Sequence, residues 1–182
     1  LTALVWRALC AVRCAQVGVA RDSEDTTTVM RACNVRGRTD PPLGAGYCGN
    51  GATQLWTELP VRALLAMPLP EVSLRLRASL EAFTPDAIAA FAQWAAHKQA
   101  EQCKVKYSFD KHALTFIISS WNFDWESVDF NARPCGLDHG ALVPVVANFT
   151  RRGEGDGLNV WFSGPRGALD QFVGLLTEAR GA

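Results

Sequence analysis

Leu1, Leu4, Val5, Ala8, Leu9 and Val12 recur at intervals of three and four residues, with Arg7 and Arg13 outside the stripe. That spacing gathers apolar side chains on one side of an α-helix. Gly18 is placed to end it. A polar, acidic run, Arg21 to Thr26, reads as a surface loop, and Thr27 to Val35 then turns short and β-leaning, which predicts a strand. Residues 37–49 hold four glycines and the pair Pro41-Pro42, so they form no regular element but a long shaped loop. From Gly51 to Leu59 the period becomes two: Thr53, Leu55 and Thr57 alternate with Gln54, Trp56 and Glu58, a strand with Trp56 on one face.

Val72, Leu76, Leu80 and Phe83 predict a helix over 70–83. Thr84-Pro85-Asp86 opens another: a hydroxyl cap, a proline in the first turn and an early acid that suits the helix dipole. It should run through Ile88, Phe91 and Trp94 to about Gln99 and form a hairpin with the helix before it. Leu114 to Ser120 is apolar and β-branched, a buried strand that delivers Trp121 at its end. Leu142–Phe149 and Leu158–Phe162 read as strands around the turn-forming run Gly153 to Gly157. Gly164-Pro165 opens a last helix, 166–179, with Leu169, Phe172, Val173 and Leu176 as its buried face. Helices and strands interleave throughout, which predicts a layered α/β fold in a single domain spanning 1–182.

Composition removes several function classes. Eighteen basic and eighteen acidic residues cancel among 182, so no global field draws the chain to nucleic acid or an anionic membrane. No apolar run is long enough to span a bilayer, and the N-terminal stripe lacks the charged start and cleavage site of a signal peptide. The six cysteines, at 10, 14, 33, 48, 103 and 135, form no Cys-x-x-Cys and no His/Cys set at metal-ligand spacing. They read as small apolar side chains in a reducing, cytoplasmic compartment, and no metal site is expected.

Two segments carry chemistry. Ser119-Ser120-Trp121 stands eight residues before Asp129-Phe130, and Asn34 to Leu43 reads Asn-Val-Arg-Gly-Arg-Thr-Asp-Pro-Pro-Leu ahead of Gly46-Tyr47-Cys48-Gly49-Asn50. Together they resemble the BAHD acyltransferases and the related fungal trichothecene acetyltransferases. Those share Ser/Thr-Ser-Trp followed by Asp-Phe-Gly-Trp-Gly, and an earlier Arg-x-Arg-x-x-Pro-Pro-Leu with Gly-Tyr-Phe-Gly-Asn. Leu1–Arg7 and Gly157–Phe172 extend the likeness to both ends. It covers only the second half of the family's protein, and so implies a mixed sheet with helices on one face, one half of the chloramphenicol-acetyltransferase-like two-domain fold.

The resemblance also implies roles. Acyl transfer from a thioester needs a base for the acceptor hydroxyl or amine and donors for the tetrahedral oxyanion. Ser119, Ser120 and Trp121 are expected to line the acceptor pocket and oxyanion region. Asp129, with Phe130, is expected to pair with Arg36 or Arg38, Arg36 ahead, and hold two loops in register. Asn131 and Arg133 are expected near coenzyme A, although the family's Gly-Trp-Gly is replaced here by Asn131-Ala132 before Arg133-Pro134. The family's His-x-x-x-Asp is not found: His97 is followed four residues on by Glu101, His112 by Phe116 and His139 by Val143. No residue of this chain is therefore assigned as catalytic. Leu137-Asp138-His139-Gly140 reads as a surface turn, and Arg151-Arg152 as a solvated loop. The expectation is a C-terminal half, inactive alone, whose partners are the missing N-terminal half, an acyl-CoA co-substrate and a small specialised-metabolite acceptor, with no bound cofactor. The competing expectation is a non-catalytic half-domain that binds a metabolite or a protein.

Overall fold

The structure, a computed structural model, describes residues 1–44, 46–100, 114–121, 146–151, 157–162 and 166–181. In chain order the elements are α1 (Thr2–Val17), β1 (Thr26–Asn34), β2 (Ala52–Pro60), α2 (Val61–Ala66), α3 (Leu69–Glu81), α4 (Pro85–Ala100), β3 (Thr115–Trp121), β4 (Val146–Arg151), β5 (Leu158–Phe162) and α5 (Arg166–Gly181). The strands make one sheet in the order β2-β1-β3-β4-β5. β1, β3 and β4 run parallel, with β2 and β5 antiparallel at the edges. This is the mixed sheet that the family resemblance implied, in the layered α/β arrangement that the alternation of elements predicted.

Strand periodicity assigns each residue to a face. Thr27, Val29, Arg31 and Cys33 of β1 share a side with Leu55 and Thr57 of β2, Phe116 and Ile118 of β3, Ala147 and Phe149 of β4, and Val160 and Phe162 of β5. On that side the core forms against Trp6, Leu9 and Val12 of α1, Leu64 of α2, Val72 and Leu76 of α3, and Phe172 of α5. Trp6 is wholly buried, and its Nε1–H donates to Thr27 Oγ1 at 3.1 Å. The Thr27 hydroxyl donates in turn to the carbonyl of Leu114 at 3.0 Å. One relay thus locks α1 to β1 and to the entrance of β3. Arg7, outside the predicted stripe, turns its guanidinium onto the carbonyls of Leu64 and Met67 and satisfies the C-terminal end of α2. Gly18, at φ 72°, ends α1 in the left-handed region as expected.

Three expectations are corrected. Leu169 and Val173 of α5 are 41% and 52% exposed; Ala168 and Phe172 face the core instead, with Leu175 and Leu176 partly packed. At about 100° per residue the true stripe is centred near 168, 172 and 175, which turns Leu169 and Val173 to its flank. The ring of Phe172 meets Phe162 of β5 at 4.8 Å between centroids. α4 starts as expected, the Thr84 hydroxyl accepting from the Ala87 N–H at 3.3 Å, yet it buries only Ile88 and leaves Phe91 and Trp94 exposed. It therefore does not close a packed hairpin on α3, which rests instead on α1 and β2. α2 was not foreseen. Strand β4 is described from Val146 to Arg151, and the start expected at Leu142 lies outside the described residues.

Trp6→Phe should keep most of the buried ring and lose only the indole donor to Thr27 Oγ1, whose own bond to the Leu114 carbonyl remains, at about 1 kcal/mol, whereas Trp6→Ala should cost about 3–5 kcal/mol. Urea unfolding of both variants checks the order.

Candidate functional site

In an open sheet, ligands collect outside the carboxyl ends of parallel strands. Here those ends belong to β1, β3 and β4, finishing at Asn34, Trp121 and Arg151. β1 and β3 pair only from Thr28–Thr115 to Arg31–Ile118, whereas β1 stays with β2 to Asn34 and β3 stays with β4 to Trp121. Beyond Arg31 and Ile118 the sheet therefore forks, and the Ser119-Ser120-Trp121 segment borders the fork.

The alternation of β3 divides that motif. Ser120 has the parity of Phe116 and Ile118, toward the helices, while Ser119 and Trp121 lie on the opposite face. Across the strands on that opposite face, Ser119 is level with Asn148 and then Trp161, and Trp121 is level with Thr150 and then Asn159. Asn148 and Thr150 are buried at 4% and 5% exposure. The Trp161 Nε1–H donates to Thr150 Oγ1 at 2.8 Å. These six side chains make a patch of hydroxyls, amides and indoles with no ionisable group. Such a patch can orient a ligand by hydrogen bonds and aromatic faces, and it cannot take up a proton at neutral pH. Sequence reasoning missed Asn148, Thr150, Asn159 and Trp161. The signal was present in Ala147-Asn148-Phe149-Thr150, where polar residues alternate with core residues inside a buried strand.

The second motif segment joins β1 to β2 at the same edge. Arg36 holds it together. Its Nε–H donates to the carbonyl of Tyr47 at 3.3 Å, Nη2 to that of Gly49 at 3.0 Å and Nη1 to Asn34 Oδ1 at 3.3 Å, and the guanidinium carbon stands 5.9 Å from the centre of the Tyr47 ring. Backbone bonds from Leu43 N–H to the Arg36 carbonyl and from Val35 N–H to the Gly51 carbonyl close the loop. Gly51 is required for this: a Cβ there would sit 2.7 Å from Arg36 Cζ and 2.8 Å from its Cγ. Arg38 gives its backbone N–H to the Val35 carbonyl. Asp129, Phe130, Asn131 and Arg133 lie outside the described residues, as do Glu101, Arg152, and residues 137–140.

The thiols on α1 have no part in this edge. Cys10 and Cys14 approach to 3.9 Å between sulfurs inside the core. Burial pushes the Cys10 thiol up to about 12, the nearby Cys14 adding to the shift, and burial raises Cys14 as well. Both are protonated and inert at neutral pH. Among the described residues no His/Cys/Asp/Glu group could hold a metal, and no helix is long and apolar enough to cross a membrane.

Comparison with known proteins follows the same outline. The sequence profile of the Transferase family matches residues 1–173. The Arabidopsis thaliana protein Acyltransferase GLAUCE is 32% identical over 72 residues, which cover 40% of this chain and 16% of that protein. Vinorine synthase matches in structure with a TM-score of 0.70 at 22% identity, over 97% of this chain and 40% of that one. TRI101 of F. sporotrichioides, solved with coenzyme A and T-2, matches with a TM-score of 0.73 at 20% identity, over 96% of this chain and 40% of that one. The chain thus spans about 40% of the length of these solved structures, and the likeness shows a shared fold.

Gly51→Ala should displace the Arg36 side chain and release at least one of its two carbonyl bonds, lowering stability by about 1–2 kcal/mol. A crystal structure and melting of the variant check it. For the α1 thiols, a folded-state value raised above the unfolded one adds stability that is complete below about pH 8.5 and is lost as pH rises toward the folded value. Stability should therefore fall through the alkaline range, and Cys10→Ala should flatten that fall in unfolding titrations.

Proposed function

The chain belongs to the Transferase family, and from that premise we propose that it is the C-terminal half of an acyl-CoA-dependent acyltransferase of the BAHD type, acting on a hydroxyl or amine of a small specialised metabolite in the cytoplasm. An acyltransferase among its relatives supports acyl transfer, and neighbours of the same fold solved with coenzyme A support acyl-CoA as the donor. The observation that carries the reading is the convergence of both motif segments, the Arg36 loop and Ser119-Ser120-Trp121, on one edge of the sheet beside the fork between β1 and β3.

In this reading the neutral patch is one wall of the acceptor pocket. Ser119 and Asn148 give hydrogen bonds to the acceptor or to the developing oxyanion, where fixed donors are worth most. Trp121 and Trp161 give flat apolar surface. Ser120, of opposite parity, lies on the helix side at the border of the fork. The proton is taken by a histidine of a His-x-x-x-Asp in the N-terminal half, because the patch holds no base. Arg36 shapes the loop by its bonds to Tyr47 and Gly49, and Asp129 pairs with a guanidinium of this loop, Arg36 or Arg38, to tie the two segments together. Asn131 and Arg133, downstream of Asp129-Phe130, are the residues proposed to lie beside coenzyme A. No resident cofactor enters the reaction.

The longer protein should release free coenzyme A from acetyl-CoA in the presence of alcohol or amine acceptors, and the present chain alone should not. Ser119→Ala in the longer protein should lower kcat by about 100-fold if the hydroxyl serves the oxyanion. Turnover by the isolated chain, or an unchanged kcat in Ser119→Ala with Asn148→Ala, sinks the assignment of this wall.

A further inference from the structure

Trp161 of β5 stands level with Asn148 of β4, yet its Nε1–H donates to Thr150 Oγ1, which is nearer the carboxyl end of β4. The indole is therefore drawn diagonally across the β4–β5 pair, toward the end of the sheet where Trp121 closes β3. At 2.8 Å the bond is short for a nitrogen donor. Its acceptor is also fixed, because Thr150 is buried and β-branched and has little rotamer freedom in a strand. A side chain with two torsions, pinned at its far end, presents a ring whose place is set before any ligand arrives.

Register decides what that ring can touch. Ser119, Asn148 and Trp161 form one row over the neighbouring strands β3, β4 and β5. At about 4.8 Å from strand to strand, Trp161 springs from the sheet about 10 Å away from Ser119. A ligand whose reacting oxygen meets Ser119 and whose body lies along this row passes over Asn148 first. It reaches the indole only if it is long enough to cross both intervals.

We infer, resting on the reading of this face as the acceptor wall, that Trp161 is a specificity-determining residue that contacts the end of the acceptor remote from the reacting hydroxyl, with Thr150 as its positioning residue. Ser119 and Asn148 serve the reacting oxygen, and Trp161 favours acceptors that span the row. A Trp161–Thr150 pair that merely stiffened the β4–β5 edge would affect long and short acceptors alike.

The test is coenzyme A release from acetyl-CoA by the longer protein, with cyclohexanol as a one-ring acceptor and para-cyclohexylcyclohexanol as a two-ring acceptor. Both offer the same secondary hydroxyl, and the second ring alone extends toward the indole. The two-ring alcohol should be favoured in kcat/KM, and Trp161→Ala should lower that preference about tenfold, through the KM of the two-ring alcohol rather than through kcat. Thr150→Val keeps the shape of the side chain and unpins the ring. It should lower the preference in the same direction by a smaller factor, and Thr150→Ser, which keeps the hydroxyl, should restore it. Thr150→Val also covers the outcome in which Trp161→Ala fails to fold. A preference that survives these changes, or a loss shared equally by both alcohols, overturns the inference and leaves acyl transfer standing. Absence of coenzyme A release with every alcohol and amine tried sinks the acyl-transfer reading itself, and the role of Trp161 with it.

Discussion

The hydrogen-bond relay from Trp6 through Thr27 to the carbonyl of Leu114 sets the frame on which the other elements are hung. It lies in the core, where an unmatched indole N–H or threonine hydroxyl would be costly, so it holds only when α1, β1 and the start of β3 are all in register. The Thr28 N–H reaches the same Leu114 carbonyl at 3.0 Å, which anchors the parallel β1–β3 ladder at its beginning. Dispersion around the buried Trp6 ring alone would tolerate a slipped helix. The polar relay does not.

From that anchor the sheet spreads toward its carboxyl edge and divides. β1 follows β2 into the Arg36 loop, while β3 follows β4 to Trp121. The fork is where a fold that buries one face also leaves polar side chains in a row on the other. Asn148 and Thr150 are buried there without being apolar, and Trp161 spends its indole hydrogen on Thr150. A neutral, donor-rich surface of this kind suits recognition of an uncharged, oxygen-bearing ligand, and it holds no group that takes up a proton at neutral pH. Arg36 works differently: its guanidinium is spread over loop carbonyls, which makes it a brace for a glycine-rich segment before it is anything else.

Much of this was legible in order and kind of element. The period-two run placed Trp56 on the face opposite Leu55 and Thr57, and the structure leaves it 47% exposed there. The cap at Thr84 and the glycine at 18 marked helix ends that the structure keeps. Failures came where packing chooses among apolar residues. Phe91 and Trp94 have the spacing of a buried stripe and remain exposed, and in α5 the core took Ala168 rather than Leu169. Small residues on a helix allow closer approach, and periodicity weighted by hydrophobicity overlooks them.

Local sequence, then, determined which stretches become helix, strand or shaped loop, since caps, glycines and side-chain period act within a few residues. It also carried both motif segments in their order. The tertiary structure alone decided that those segments meet at one edge, that Ser119 and Trp121 face away from Ser120's side together with Asn148 and Thr150, and that Arg31 turns inward onto the Leu76 carbonyl and the Ser79 hydroxyl of α3. These outcomes depend on strand order and register, which join residues more than twenty positions apart and are settled by long-range pairing and burial that no local window contains.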